Sequence, residues 1–337
     1  MTSIWNYDWL RRGRFRHSLT MDSSSTIVEG TVYVIGAGAV GLSLAAALKS
    51  QGRKVVLVRS RPGAARGIFT TEIRFGAGTE GVRVELDQVP LCEVEEFMGP
   101  VVLAVKSHAN EEVAGELAKT RTCGDLVVMQ NGLGVERPFL GCGFASVMRC
   151  VLYMTSQAKA DGSVEFRQVA SSPIGMVAGD ADRLAGCIEA LSTDLFSFHG
   201  EPLIEREAWG KTIINAAFNS ICPLLESDNG LFARNPWAEG VARRIVAEGV
   251  ALANTRGIAL DEETLMHRVM AISRASEGVM ISTLQDILAG RETEIRSLNL
   301  ELARIGAEAE PRQVLPVTEA FGHLVMAKSQ SKASGTT

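Results

Sequence analysis

Val32-Tyr33-Val34-Ile35-Gly36-Ala37-Gly38-Ala39-Val40-Gly41 decides the reading of this chain. Four β-forming apolar residues run into a G-x-G-x-x-G turn, and the helix-prone Leu42-Ser43-Leu44-Ala45-Ala46-Ala47-Leu48 follows at once. Strand, glycine turn and helix are the context in which this motif carries weight as a dinucleotide cradle. Gly36 allows the tight turn, Gly38 lets the backbone approach a pyrophosphate, and Gly41 lets the helix pack close on the strand. Ala37, Ala39 and Val40 complete the turn, and the free amides of the helix N-terminus face the phosphates. The alternative is a glycine turn in some other α/β protein.

The next strand indicates which dinucleotide. A cofactor without a 2′-phosphate usually meets an Asp or Glu about 20 residues on, at the end of that strand. Here Lys54-Val55-Val56-Leu57-Val58 runs into Arg59-Ser60-Arg61, and no acid occurs between Gly41 and Glu72. An acid would repel a 2′-phosphate, whereas a guanidinium grips one with two parallel hydrogen bonds. The expected cofactor is therefore NADP(H), with Arg59 as the phosphate partner. The competing reading is a solvated basic loop, since Arg53, Lys54, Arg59, Arg61 and Arg66 lie close together.

Outside this region the chain is that of an ordinary globular protein. Its 337 residues suffice for two domains, and 46% hydrophobic with 22% charged residues fits a packed core. A net charge of −5 without a block of like charges gives no nucleic-acid tail. No run approaches the roughly 20 apolar residues that span a membrane. The six cysteines lack C-x-x-C or Cys/His spacing, so neither zinc nor a disulfide framework is expected, and buried free thiols are. Residues 1–30 are basic, then Ser-rich, without the apolar stretch of a secretory signal; a transit peptide stays open, a start at Met21, just before the first strand, is the simpler expectation, and poor order is expected. The location expected is cytoplasmic.

From residue 31 to about 202 the pattern alternates strand and helix. Buried strands read at 101–105 and 125–129, with a crossover helix at 111–119 between them. This implies a Rossmann-type parallel sheet covered on both faces. Residues 164–166 and 172–177 look like an antiparallel extension. Past about 203 the strands stop, and helical patterns at 208–225, 237–256, 261–275, 293–309 and 317–328 predict an all-α domain over 203–330.

Ligands of a doubly wound sheet bind outside the carboxyl ends of its strands. Besides the glycine turn, Lys106 follows one strand and Gln130-Asn131-Gly132 another. Lys106 is a candidate for the cofactor phosphates or a solvated lysine. Asn131 is a candidate for the nicotinamide side or the substrate, or part of a plain turn. In the helical half, Lys211, Asn215 and Asn219 recur at i, i+4 and i+8 among Thr, Ile, Ala and Phe. Asparagine is a poor helix former, so a polar stripe on an apolar helix reads as the wall of a cleft, the alternative being a solvent face. Further on, Ser282 and Gln285 fit a capping box, and Glu294 falls in the first turn of the following helix. On one unbroken helix Ser282 and Glu294 would stand roughly 18 Å apart. They reach one substrate only if the chain turns near Gly290.

Taken together, residues 36–41, Val105-Lys106, Gln130-Asn131-Gly132, Trp209-Gly210-Lys211 with Asn215 and Asn219, Asn229-Gly230, Ser282-Thr283-Leu284-Gln285-Asp286, Gly290-Arg291 and Thr293-Glu294-Ile295 resemble the ketopantoate reductase family. The match spans most of residues 31–325. The resemblance implies a Rossmann domain, a helical C-terminal domain and an active site between them. It implies NADPH-dependent reduction of 2-dehydropantoate to pantoate, in pantothenate biosynthesis, by a monomer or homodimer. By resemblance, Lys211 is the catalytic lysine and Glu294 its partner carboxylate. Asn131, Asn215, Asn219 and Ser282 belong to the substrate pocket, Arg59 lies near the adenosine phosphate, and Lys106 on the cofactor side. The chain departs from the family pattern at Ser220, usually a proline, at Arg296, usually an aspartate, and at Leu300, usually a glycine. These departures leave open another branched 2-oxo acid as substrate; a non-catalytic NADP(H) sensor is the reading from a different class.

The chemistry follows from the residues as well. Reducing a ketone develops an alkoxide, which needs a proton donor and preorganised hydrogen bonds. An ammonium at Lys211 supplies both, and Glu294 would orient it and hold it charged.

Overall fold

The computed structural model describes residues 30–61, 63–76, 81–159 and 161–333. The expectations for residues 1–29 lie outside the described residues.

The chain opens with β1 (Val32–Ile35), α1 (Ala39–Ser50) and β2 (Val55–Arg59), then a long hairpin of β3 (Gly67–Phe75) and β4 (Val82–Pro90). There follow β5 (Glu96–Phe97), β6 (Val101–Leu103), α2 (Asn110–Leu117), β7 (Arg121–Thr122), β8 (Asp125–Val128) and β9 (Ser146–Cys150). β10 (Met154–Ala158), β11 (Val164–Gln168), β12 (Ser172–Gly179), α3 (Arg183–Leu191) and β13 (Phe198–Gly200) complete the first half. Among the described residues eleven strands join one sheet in the order β10-β11-β3-β4-β2-β1-β6-β8-β9-β12-β13.

Its centre is parallel. Ile35 of β1 stands opposite Val58 of β2 and Leu103 of β6, and Val128 of β8 opposite Arg149 of β9. These strand ends therefore point the same way, and the loops after them line one edge of the sheet. β1, β6, β8 and β9 are buried along their whole length, as expected for strands covered on both faces. α1 packs one face with Leu44, Ala45 and Leu48, and α2 covers the other with Val113 and Leu117. The flanks contain the antiparallel pairing expected at 164–166 and 172–177, with further features around it. The β3–β4 hairpin was not anticipated, and β11 pairs in parallel with β3 while meeting β10 antiparallel; β12 is antiparallel to β9. Cys92 and Cys123 are exposed, whereas Cys142, Cys150, Cys187 and Cys222 are buried free thiols.

The second half is helical: α4 (Ile204–Leu224), α5 (Leu231–Arg234), α6 (Pro236–Thr255), α7 (Glu262–Ala275), α8 (Ser282–Leu288), α9 (Asn299–Ala307) and α10 (Pro316–Ala333). Side chains fix three of the starts, Glu248 accepting from the amides of Val317 and Thr318 at the head of α10. Asn235 accepts from the amides of Trp237 and Ala238, and Asp261 from that of Thr264, which satisfies donors a helix cannot satisfy itself. Gly249 lets α6 approach Ile213 of α4 closely. Leu133 and Val151, from loops at the sheet edge, belong to the same apolar core as α4, α6 and α7, so the two halves share packing where the strand ends face α4.

The long helix expected over 293–309 is broken. Ile295–Ser297 forms a 3-10 turn, Leu298 is non-helical (φ −107°, ψ −101°), and α9 starts at Asn299. The carbonyl of Ser297 is taken by the Leu133 amide at 3.1 Å. A contact between the halves thus replaces an intrahelical bond. Among the described residues no helix is long and apolar enough to cross a membrane, and no cluster of three or more His, Cys, Asp or Glu is placed to hold a metal.

Candidate active site

The glycine turn has the shape of a phosphate cradle. Gly36 has φ +116°, and a Cβ there would lie 2.8 Å from the Ala104 carbonyl carbon and the Val105 nitrogen. Only glycine fits such a turn. A Cβ on Gly41 would collide with the Gly36 carbonyl oxygen, whereas one on Gly38 would meet open space. Backbone is packed tightly on one side of the turn and accessible on the other. The first intrahelical bond of α1 runs from the Leu42 amide to the Gly38 carbonyl at 2.9 Å. The preceding amides have no side-chain cap, and no acid occupies the first turn. Ala37, Ala39 and Val40 are half-buried along this surface. The residues present fit a dinucleotide pyrophosphate. Arg59 ends β2, donating to Gln88 Oε1 at 3.0 Å, with its guanidinium 5.3 Å from the Phe69 ring centre.

Lys106 lies at the next strand end, and here the structure corrects the expected pairing. Its Nζ is 3.1 Å from Asp286 and 3.3 Å from Glu294, both from the helical half. The lysine is 41% exposed, but its partners are 8% and 10% exposed. Burial opposes the charge on Lys106; Glu294 and Asp286 outweigh it and hold the pKa above the usual lysine value. Arg291 also reaches Asp286, at 3.0 Å. Ser107 bonds Ser297 and Arg137 bonds Glu301, each at 3.1 Å. Glu294, expected beside Lys211, is thus salt-bridged to Lys106, and Lys106, expected beside cofactor phosphates, ties the two halves together.

Lys211 opens onto a narrow crevice between the halves, with Gln130, Asn131, Arg149, Leu152 and Asn215 among its walls. Its ammonium donates to the Leu152 carbonyl and lies 5.7 Å from the Tyr153 ring centre. Among the described residues no carboxylate contacts it. Burial pushes its pKa down to about 8, Arg149 and Arg268 push the same way, and the charge of Glu294 pulls it up. Tyr153 donates to Glu207 at 2.7 Å and accepts from Arg268 at 2.9 Å, which fixes the ring under the lysine. Burial is also the main reason the Tyr153 phenol is pushed up to about 12. Asn131 and Asn215 are half-buried and make no side-chain hydrogen bond among the described residues. Their amides are available to a ligand.

Asn219 and Ser282 are engaged with one another. Buried Asn219 donates to the Asn215 carbonyl at 3.0 Å and accepts from Thr283 at 2.7 Å and Ser282 at 3.5 Å. It joins α4 to α8 rather than presenting a free amide. The capping box that was the alternative reading of Ser282 does not form: Ile281 is the cap residue, Ser282 begins α8, and Gln285 donates back to the Met280 carbonyl at 2.8 Å. The contact with Asn219 wins over the local signal. α8 then ends in a Schellman motif. Gly290 has φ +63°, its amide bonds Ile287 O at 3.1 Å, and the Arg291 amide bonds Asp286 O at 2.8 Å. The chain turns there, with Ser282 before the turn meeting Asn219 of α4 and Glu294 after it meeting Lys106.

Two contributors were missed from sequence. Asp286 looks like an ordinary surface acid of a short helix. Arg149 had a legible signal, a charge inside the apolar strand Ser146-Val147-Met148-Arg149-Cys150. Of the departures from the family pattern, Ser220 is buried and bonds the Ala216 carbonyl at 2.6 Å within its own helix, and Arg296 is exposed.

Comparison with known proteins follows the same division. The family model described as ketopantoate reductase PanE/ApbA matches residues 32–179, and that for its C-terminal part matches 203–329. A 2-dehydropantoate 2-reductase from Archaeoglobus fulgidus is 27% identical over 281 residues, covering 82% of this chain and 91% of its own length. One from Mycobacterium tuberculosis is 28% identical over 272 residues, covering 78% and 86%. Among solved structures, a ternary complex of D-mandelate dehydrogenase with NADH and anilino(oxo)acetate has a TM-score of 0.79 at 20% identity, covering 90% of this chain and 99% of that one. A dimeric ketopantoate reductase from Staphylococcus aureus has a TM-score of 0.75 at 19% identity with the same coverage.

Proposed function

Because the chain belongs to the ketopantoate reductase family, we propose that it reduces 2-dehydropantoate to (R)-pantoate with NADPH, as a cytoplasmic step of pantothenate biosynthesis, with Lys211 as the general acid. The observation that carries this reading is the buried ammonium of Lys211, with a pKa of about 8, opening onto a crevice beside the uncommitted amides of Asn131 and Asn215.

NADPH, when bound, supplies the hydride for the carbonyl carbon of the substrate. Gly36, Ala37, Gly38, Ala39, Val40 and Gly41 would hold its pyrophosphate, and Arg59 its 2′-phosphate. Lys211 hydrogen-bonds the carbonyl oxygen, stabilises the charge that develops there and transfers a proton from Nζ to it. Oxygen gains that proton and becomes the new hydroxyl, and the neutral amine regains a proton from solvent. A pKa near working pH suits a group that must both give and recover a proton. Asn131, Asn215 and Ser282 bind the carboxylate and hydroxyl of the substrate without adding net charge, and Asn219 holds Ser282 in place. Glu294 acts on Lys211 across space while holding Lys106.

Steady-state oxidation of NADPH with a panel of branched 2-oxo acids tests this. The expected result is the highest kcat/KM with 2-dehydropantoate. Preference for a different branched 2-oxo acid would change the substrate and keep the chemistry. Tight NADPH binding without turnover of any acid would make the chain a sensor.

A further inference from the structure

The loop that presents Asn131 to the crevice is gripped from two sides. On one side Gln130 exchanges hydrogen bonds with Asn110 at 3.0 and 2.5 Å and donates to the Val105 carbonyl at 2.9 Å. On the other stands Arg149. Its side chain is 6% exposed in a strand that is otherwise apolar or small. A guanidinium in such a place is expensive to bury. Nη2 donates to the carbonyls of Gln130 at 2.6 Å and Gly132 at 2.8 Å, Nη1 is 3.4 Å from Glu136, and Nε has no partner among the described residues. The two clamped carbonyls flank Asn131 itself.

We propose that Arg149 is a positioning residue for the reduction: it fixes Asn131 over the crevice by clamping the carbonyls on either side of it, and it sets a permanent positive charge beside Lys211. This rests on the reading of the crevice as the site of carbonyl reduction.

The clamp needs an arginine. Both carbonyls take hydrogens of one nitrogen, Nη2, which the planar guanidinium holds in a fixed direction while Nη1 faces Glu136, whereas a lysine is a compact point donor on a freely rotating stem. Without Nη2 held in that plane both carbonyls lose a charge-assisted partner, and the residue between them loses its fixed position. The charge acts separately. The groups facing Lys211 are Arg149 and Cys150 from β9, Tyr153 beyond it, Arg268 from α7, Glu207 from its own helix through Tyr153, and Glu294 ahead of the 3-10 turn. Burial pushes the Cys150 thiol up to about 12, so it is neutral across the working range. Arg149 and Arg268 then oppose Glu294, and together with burial they keep the lysine ready to release its proton.

Two variants separate clamp from charge. In Arg149→Met the KM for the 2-oxo acid is expected to rise about tenfold or more, as for loss of charge-assisted hydrogen bonds. The alkaline limb of kcat is expected to move up by about half a pH unit or more. In Arg149→Lys the KM still rises, but the limb stays in place. A second readout does not depend on turnover: NMR of ¹³Cε-labelled lysine, with the Lys211 signal assigned by its loss in Lys211→Ala. Lys211 is expected to titrate near 8 in the parent, higher in Arg149→Met and unchanged in Arg149→Lys. A folded Arg149→Met protein with parental KM and parental Lys211 titration would overturn the proposal. Should that variant not fold, a parental KM in Arg149→Lys would overturn it equally. If the parent reduces no 2-oxo acid, the functional reading fails, while the lysine titration still decides whether Arg149 sets the charge.

Discussion

Lys106 and Lys211 come from the two halves of the molecule, both feel the charge of Glu294, and depart from the ordinary lysine pKa in opposite directions. Lys106 lies in the loop after β6 of the sheet half and has two carboxylates within 3.3 Å, so its pKa rises despite burial. Lys211 sits on α4 with a backbone carbonyl and an aromatic ring for partners, so burial wins and its pKa falls to about 8. The same side chain is a permanent tie in one place and a labile acid in the other. What differs is whether a carboxylate touches it. Glu294 is decisive, because it is spent on the tie and reaches the acid only across space.

Lys211→Met should break the comparison most visibly. Loss of one general acid lowers kcat by about 10²- to 10⁴-fold, and NADPH affinity should hold, since the lysine lies in the substrate crevice rather than at the glycine turn. The same change should stabilise the fold. The folded pKa lies below that of an unfolded lysine, so stability rises with pH between about 8 and 10.4, and the full cost of the buried charge is present below about 8. At neutral pH that cost is of order 3 kcal/mol, and a thermal melt of the variant should show a higher Tm. A variant with near-parental turnover would take Lys211 out of the mechanism.

The next effect in size belongs to the sheet half alone. Arg59→Ala should weaken NADPH roughly 10- to 150-fold, the range for losing a charged hydrogen-bond partner. NADH binding should barely change. Equal dissociation constants for the two cofactors in the parent would assign Arg59 to its contacts with Gln88 and Phe69 instead.

Smaller again is the response to pH. With Lys211 as acid, kcat is level below about pH 8 and falls above it, about tenfold by pH 9. Lys106, whose pKa is raised, stays charged throughout this range and contributes no limb. A limb that persists in Lys211→Met at reduced rate would belong to another group.

This contrast also marks what was legible in the sequence. Ile35 to Gly41 carries its fold in a local pattern of strand, turn and helix, and the order of sheet half and helical half follows from strand–helix alternation giving way to helical periods. Lys211 and Asn215 stood out because polar side chains on an apolar helix need a reason. The partner of Lys106 was not legible. Asp286 and Glu294 lie 180 and 188 residues away, and no local period encodes such a distance. At Ser282 a local signal was overridden, because Asn219 offered a tertiary partner to Ser282 and Thr283 in place of the cap. The helix expected over 293–309 was cut for the same reason, with the Ser297 carbonyl given to Leu133.

The least effect, and the sharpest test of the contrast, is expected from Lys106→Met. This change removes the tie and leaves Glu294 buried without its partner, while Asp286 keeps Arg291 at 3.0 Å. Lys106 is itself 41% exposed, so the loss is closer to that of a surface pair than of a fully buried one, about 1 kcal/mol. A chain of this size should lose a few °C of Tm, roughly 2–4 °C per kcal/mol. The sign is opposite to that for Lys211→Met. Because the folded pKa is raised, the stability that Lys106 contributes is fully present below about pH 10 and is lost only as pH rises through the folded value. The Tm difference between parent and variant should therefore be flat from pH 6 to pH 9 on the lysine's account. Freed from Lys106, Glu294 can turn its charge toward Lys211 and raise that pKa, moving the alkaline limb of kcat upward. A higher Tm, or a limb that moves down, would show that the two lysines are not coupled through Glu294 in this way.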